Sequence, residues 1–245
     1  MKQHGALRKR VSDSKEEFIE ENKAMYNVVF DMDGVIFDSE RTLMESWIDV
    51  AKGHGLDEDL VRETYIKCIG TNSAQTTEIY KNAFLDILGE EKLWSIWDES
   101  RELHRERYPD GVLPIKAGVK EILEYLKINR IPIGIASSSK KQTVEKQIGA
   151  AGLSSYFVGV VGGDAVKISK PNPEIYLLAC KEFGFDLEKT FAIEDSFNGI
   201  RAAHAAGMRP VMVPDIVPAD AEMRDLSVVV CKDLFEVKRF LEERI

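Results

Sequence analysis

The sequence predicts an α/β fold: a parallel β-sheet core with helices on both faces, plus an inserted all-helical segment. Three observations carry the prediction. Continuous apolar runs recur at residues 26–30, 131–136, 157–161, 190–193, 210–213 and 227–230, and strands without polar alternation are those buried on both faces. Segments with helical apolar spacing lie between the runs, the alternation that builds a parallel sheet. From residue 41 to 110 the alternation stops, and apolar residues recur only at helical spacing.

In chain order, residues 1–23 are polar, first basic (Arg8, Lys9, Arg10) and then acidic (Glu16, Glu17, Glu20, Glu21). No apolar core follows the basic cluster, so this is a frayed or partly helical extension rather than a secretory signal. The first strand ends on Asp31. In the insert, Leu43, Trp47, Val50 and Ala51 share one helical face, Ile79, Ala83 and Ile87 another, and Leu93, Trp94 and Trp97 a third. The three tryptophans are expected in the bundle core, with stacking on a base the alternative. Ser39 and Glu40 on one side, and Tyr108, Pro109, Asp110 and Gly111 on the other, read as linkers. An insert placed here sits above the carboxyl ends of the strands, where open α/β sheets bind ligands, and is a candidate lid. Beyond it, Val119, Ile122, Leu123 and Leu126, then Ile175, Leu178 and Ala179, then Leu234, Val237 and Leu241 mark amphipathic helices.

Composition bounds the partners. The chain has 245 residues, 44% of them hydrophobic, which suffices for one large domain or a medium domain with a smaller insert. Its formal net charge of -9 argues against nucleic acid or an anionic membrane surface, since both reward basic patches. A phosphate site in such a chain must find its positive charge locally, from a metal, a lysine or backbone N–H groups. Cys68, Cys180 and Cys231 are far apart and odd in number, which points to a reducing cytoplasm rather than a disulfide framework. No apolar run approaches the ~20 residues of a membrane span. Nothing marks a large exposed apolar face, so a monomer or small homo-oligomer is expected.

Four segments end on polar residues just after expected strands, which gathers them at one sheet edge. Asp31-Met32-Asp33-Gly34 offers two carboxylates that can share a divalent cation, and Gly34 permits a sharp turn; Asp and Gly are also ordinary turn formers. Ser137-Ser138-Ser139 can donate hydroxyls and helix N-terminal N–H groups to a phosphate oxygen. Within it, Ser137 is the expected ligand contact, and Ser139 with Gln142 fits a capping box. Lys170-Pro171-Asn172-Pro173 holds a lysine at a rigid corner, where it can neutralise a carboxylate and a phosphate together, although most lysines are solvated. Glu194-Asp195-Ser196 places adjacent carboxylates after a buried strand, at a like-charge cost unless a cation such as Mg²⁺ offsets it; a helix N-cap at Asp195 or Ser196 is the plainer use.

The four segments occur in this order, each after its own strand. On that order, and on the stretches 29–40, 169–174 and 193–200, the chain resembles the haloacid dehalogenase superfamily, in its branch of β-phosphoglucomutase-like phosphatases with a helical (C1-type) cap. The resemblance runs from about residue 25 to about residue 240. It implies a Rossmann-like core over 24–40 and 111–245 and a cap over 41–110. Asp31 would be the nucleophile that becomes an aspartyl-phosphate. Asp33 would be the acid for the leaving group and then the base for water. Mg²⁺ would bind the Asp31 and Asp195 carboxylates and the Asp33 carbonyl, with Glu194 behind. Ser137, the Ser138 backbone and Lys170 would hold the phosphoryl oxygens. The expected activity is Mg²⁺-dependent hydrolysis of a small phosphomonoester, a sugar phosphate or nucleotide.

The alternatives are a β-phosphoglucomutase and, third, a non-catalytic binding protein on this fold; the third would lack Asp31 or Asp33. Against the mutase, the loop Thr71-Asn72-Ser73-Ala74-Gln75 has no arginine where mutases carry one, and Leu43 stands near the mutase histidine. His104 and Arg105 are the candidate substitutes for the mutase cap lysine. Asn72 and Gln75 are expected either to face the substrate or to cap a helix.

Overall fold

The computed structural model describes residues 26–69 and 73–245; the extension expected over 1–23 lies outside the described residues. Six strands, β1 (Asn27–Phe30), β2 (Ile133–Ser137), β3 (Gly159–Gly162), β4 (Thr190–Glu194), β5 (Arg209–Met212) and β6 (Val229–Val230), form one parallel sheet ordered β3-β2-β1-β4-β5-β6. Each falls within or beside an expected run, and the fold is the expected Rossmann-like α/β type. The chain winds outward from β1 to both sides, so the strand order reverses at β1. Its carboxyl end is therefore the crevice of the sheet.

Side-chain alternation divides the core in two. Val28, Phe30, Ile135, Phe191 and Ile193 pack on one face with residues of α5 (Val119–Ile128) and α10 (Leu234–Glu242), and with Val144 and Ile148 of α6 (Lys141–Ala150). Val29, Ala136, Val161 and Ala192 pack on the other with residues of α7 (Glu174–Phe183) and α8 (Phe197–Ala205). This second face carries small residues for a steric reason. A Cβ on Gly134 or Gly159 would come within 2.4 or 2.5 Å of the Phe183 ring, so bare backbone lets α7 lie close to the sheet. The short α9 (Ala221–Leu226) packs Met223 with Ile200 and Met212.

Four helices follow β1: α1 (Ser39–Gly53), α2 (Glu58–Cys68), α3 (Ser73–Leu88) and α4 (Glu90–Arg107). They bury an apolar cluster of their own, built on Trp47, Tyr80, Phe84, Leu93 and Ile96. Three expectations are corrected here. The buried face of α3 is Tyr80 and Phe84, whereas Ile87 is 58% exposed. The aromatic rings win the interior because they stack edge-on against Trp47, with centroids 5.1 and 6.2 Å away. Leu43 is 36% exposed and lines a cavity rather than packing with Trp47. Ser39 and Glu40, expected as a linker, form the first turn of α1. The return connection is a 3₁₀ turn, Pro109–Gly111, as the turn residues there suggested. Among the described residues no helix is long and apolar enough to cross a membrane.

Candidate active site

A cavity of about 390 Å³ opens between the strand ends and the four-helix bundle. Its floor starts at Asp31, whose N–H donates to the Ile193 carbonyl at 2.9 Å, extending the β1–β4 ladder by one residue. The chain then turns back on itself: the Ile36 and Phe37 N–H groups donate to the Met32 carbonyl and that of Gly34 to the Phe37 carbonyl. Gly34 takes φ +78, and a Cβ there would lie 2.1 Å from Asp195 Oδ2. Glycine is needed for the turn and for the approach of Asp195.

Lys170 is buried and joined to Pro171 by a cis peptide bond. Its Nζ donates to Asp31 Oδ1 at 2.5 Å, Glu194 Oε1 at 2.7 Å and the Ala136 carbonyl at 3.2 Å. Three donors meet three acceptors, so the ammonium is fully used. Glu194 is fully buried and also accepts from Tyr176 Oη at 2.6 Å and Ser196 Oγ at 3.2 Å. Gly199 makes room for it: a Cβ there would lie 1.9 Å from the Glu194 carboxyl carbon. Ser196 is the N-cap of α8, accepting from Gly199 N–H. Capping thus falls to the serine, and the Asp195 carboxylate lines the cavity.

Carboxylate oxygens of Asp31, Glu194 and Asp195 lie within 4.8 Å of one another. Three carboxylates against one ammonium leave two negative charges in excess, the charge of one divalent cation. Burial pushes the Asp31 carboxyl up to about 8 against the pull of Lys170, with Glu194 and Asp33 adding to the rise. Burial, then Glu194 and Asp31, raises Asp195 well above the carboxylate range. Burial works to lower the Lys170 ammonium, yet Asp31 and Glu194 outweigh it and raise it. Burial thus opposes the ionised forms of Asp31 and Asp195. The cluster's all-oxygen donors suit a hard divalent cation, and Glu194, whose oxygens already serve Lys170, Tyr176 and Ser196, suits a place behind the ligands.

The serine loop is arranged differently from expectation. Ser137 is buried, and its Oγ accepts from Ser139 N–H at 3.0 Å. Ser138 and Ser139 line the cavity. Ser139 and Gln142 form no capping box: α6 starts at Lys141 without a side-chain cap from Lys140. Asp164 supplies the cap from the loop after β3, accepting from Lys141 N–H at 2.8 Å. That frees Ser139 Oγ, which donates to Asp33 Oδ2 at 2.8 Å, with Ser137 Oγ 3.5 Å from the same oxygen. Ser139 as the partner of Asp33 went unrecognised, because nothing local in the sequence announces a cap supplied by Asp164.

On the bundle side, Asn72 lies outside the described residues. Gln75 is exposed; its neighbour Thr76 lines the cavity. His104 faces Thr42 Oγ1 at 3.1 Å, and Arg105 pairs with Glu102; neither is among the cavity-lining residues. Trp47 is 2% exposed in the bundle core, while Trp97 reaches the cavity beside Tyr80. Sequence reasoning missed Glu40 and Tyr65. Both line the cavity, and Tyr65 Oη donates to Glu40 Oε2 at 3.0 Å. Burial, then Asp33, pushes the Glu40 carboxyl up to about 7. An acidic residue at the first helical turn after the Asp31 segment was the available signal.

The comparisons with known proteins agree with this geometry. The haloacid dehalogenase-like hydrolase family model matches residues 28–213. The phosphorylated carbohydrates phosphatase of Thermotoga maritima is 34% identical over 191 residues, 76% of this chain and 84% of that one. The fructose-1-phosphate phosphatase YqaB of Escherichia coli is 30% identical over 188 residues, 76% of this chain and 95% of its own. A crystal structure of a Thermotoga maritima protein provisionally named β-phosphoglucomutase superposes with a TM-score of 0.74 at 28% identity, covering 90% of this chain and all of that one.

Proposed function

The chain belongs to the haloacid dehalogenase-like hydrolases, in their β-phosphoglucomutase-like branch, and is a phosphatase; we propose that it hydrolyses a small hydroxylated phosphomonoester through an aspartyl-phosphate on Asp31. One observation carries this reading. Asp31 sits on the cavity floor against Lys170, while Asp33 is held two residues on by Ser139.

Asp31 attacks phosphorus, and the bond to the leaving alkoxide breaks as Asp33 delivers a proton to that oxygen. Asp33 then takes a proton from water, whose oxygen attacks the acyl phosphate; phosphate leaves and the Asp31 carboxylate is restored. Ser137, the Ser138 backbone and Lys170 would hold the phosphoryl oxygens, Lys170 by giving up its 3.2 Å bond to the Ala136 carbonyl. Ser137 Oγ accepts from Ser139 N–H at 3.0 Å and points its proton at Asp33 Oδ2 over a long 3.5 Å, a proton that a phosphoryl oxygen would take over. Asp31, Asp195 and the Asp33 carbonyl would hold Mg²⁺, with Glu194 behind them. When bound, it neutralises charge on Asp31 and on the phosphoryl group.

We take residues 24–40 and 111–245 as the core and 41–110 as a cap whose closure excludes water. Buried Cys180 and Cys231, whose thiols burial pushes up to about 12 and about 11, suit a reducing cytoplasm. The substrate names of the relatives, phosphorylated carbohydrates and fructose 1-phosphate, support the sugar-phosphate reading over a nucleotide. The test is phosphate release from a panel of sugar phosphates and nucleotides, with Mg²⁺ and with EDTA. Mg²⁺-dependent release that Asp31→Asn abolishes is expected. Conversion of β-glucose 1-phosphate to glucose 6-phosphate without net phosphate loss would instead make the protein a mutase.

A further inference from the structure

Behind the cavity floor lies a fully buried phenol that takes no part in the chemical steps. Tyr176 has no exposed surface, and neither it nor Glu194 is among the cavity-lining residues. It stands in the first turn of α7, shortly after Lys170 in the chain. Its Oη donates to Glu194 Oε1 at 2.6 Å, and Lys170 Nζ donates to that same oxygen at 2.7 Å. The other Glu194 oxygen takes Ser196 Oγ at 3.2 Å. The Tyr176 ring also faces the ammonium, with Lys170 Nζ 5.0 Å from its centroid. Phe183, lying over Gly134 and Gly159, seats α7 close to the sheet, so packing fixes where the phenol stands.

A carboxylate only accepts, so the phenol is the donor. Two donors on one oxygen compete for its charge, and each weakens the hold of the other. Without the phenol, Glu194 Oε1 would belong to Lys170 alone. That pull works against the reaction. Once Asp31 carries the phosphoryl group it no longer offers the ammonium a free carboxylate, and Glu194 is the carboxylate that remains. An unshared Glu194 would draw Lys170 away from the phosphoryl oxygens as their charge builds. The Tyr176 hydroxyl reduces the draw, and in a buried site its dipole is little screened. Tyr176 touches no reacting atom. It acts through Lys170 and Glu194, as the outer partners of a site orient the groups that make contact.

We propose that the Tyr176 hydroxyl is a positioning group for the reaction: by sharing Glu194 Oε1 with Lys170, it leaves the ammonium free to follow the phosphoryl oxygens. This rests on the phosphatase reading above and adds to it a residue outside the cavity that sets the rate.

The experiment is steady-state kinetics with Mg²⁺ on the ester that the wild type hydrolyses fastest, with orthovanadate as inhibitor. Vanadate takes up the five-coordinate geometry that phosphorus passes through. Tyr176→Phe keeps the ring over Lys170 and removes only the hydroxyl. In it kcat should fall by about tenfold and the vanadate Ki should rise by about tenfold, while KM changes by less than about twofold. The second arm is a double-mutant cycle. In Glu194→Gln no carboxylate competes for the ammonium, so adding Tyr176→Phe should change kcat and the vanadate Ki by less than about twofold. Three results overturn the proposal and leave the phosphatase reading intact. They are an unchanged kcat and Ki, a fall in kcat with Ki unmoved (the mark of lost folded enzyme), and equal effects of Tyr176→Phe in the two backgrounds. Absence of phosphate release from every ester by the wild type would overturn both.

Discussion

The floor of the cavity and its wall are built on different principles. On the floor, Asp31, Ser137 and Glu194 lie at or just beyond a strand end, Lys170 reaches them from the loop between β3 and α7, and hydrogen bonds or the backbone tie them together. On the wall, Glu40, Tyr65, Thr76 and Tyr80 come from three helices, and rotation of each helix decides which side chain faces inward. Strand ends set position through the sheet ladder, so neighbours in space follow from strand order. Helix phase is a packing outcome, and an error of one residue turns a side chain by about 100°. The floor therefore carries chemistry that tolerates little change, and the wall carries contacts that single substitutions can retune.

Substitutions can break this contrast, and the floor should respond most. Lys170→Met removes the one ammonium that faces Asp31 and Glu194. Activity should fall by about a thousandfold or more, and stability in EDTA should drop by roughly 3–5 kcal/mol, because uncompensated buried carboxylates remain. Steady-state kinetics and urea unfolding at pH 8 check both. Retained turnover would mean that Lys170 only braces the fold.

The wall should show a different signature. Phe84→Ala empties a fully buried ring position and should cost about 3–5 kcal/mol. Ile87→Ser, one turn away on the exposed side, should stay within about 0.5 kcal/mol. Equal losses in the two variants would refute the observed phase of α3.

A smaller effect links the two regions through pH. The Glu40 carboxyl in the folded protein binds its proton up to about 7, above its ordinary 4.5. A raised carboxylate contributes stability that is complete below its unfolded value and is lost as pH rises through the folded one. In EDTA, the stability difference between wild type and Glu40→Gln should therefore move against the wild type between pH 4.5 and about 7. A constant difference across that window, followed by thermal melts, would show that Glu40 is solvated rather than held in the wall.

How far the sequence reaches follows from the same contrast. All six strands were legible as uninterrupted apolar runs, because a strand covered on both faces has no polar side to interrupt it. The gathering of Asp31, Asp33, Lys170, Glu194 and Asp195 at one sheet edge was legible because each stands close behind a strand or at a proline-marked corner. The role of Ser139 was not, since Asp164, 23 residues away in the hydrogen bond to Lys141, takes over the capping that Ser139 was expected to perform. On α3 the aliphatic stripe Ile79, Ala83, Ile87 and the aromatic pair Tyr80, Phe84 both fit helical spacing. Only the presence of Trp47 across the bundle decides between them. Glu40 was read as linker because it stands at a helix boundary, where local propensity and tertiary contact compete.

The most direct measurement of the central claim is the site of phosphoryl attachment. Wild type mixed with substrate and Mg²⁺, quenched in acid within one turnover and digested, should give a phosphoryl adduct on the peptide containing Asp31, and Asp31→Asn should give none. Phosphate release that persists in Asp31→Asn with no adduct on any peptide would contradict covalent catalysis by this aspartate.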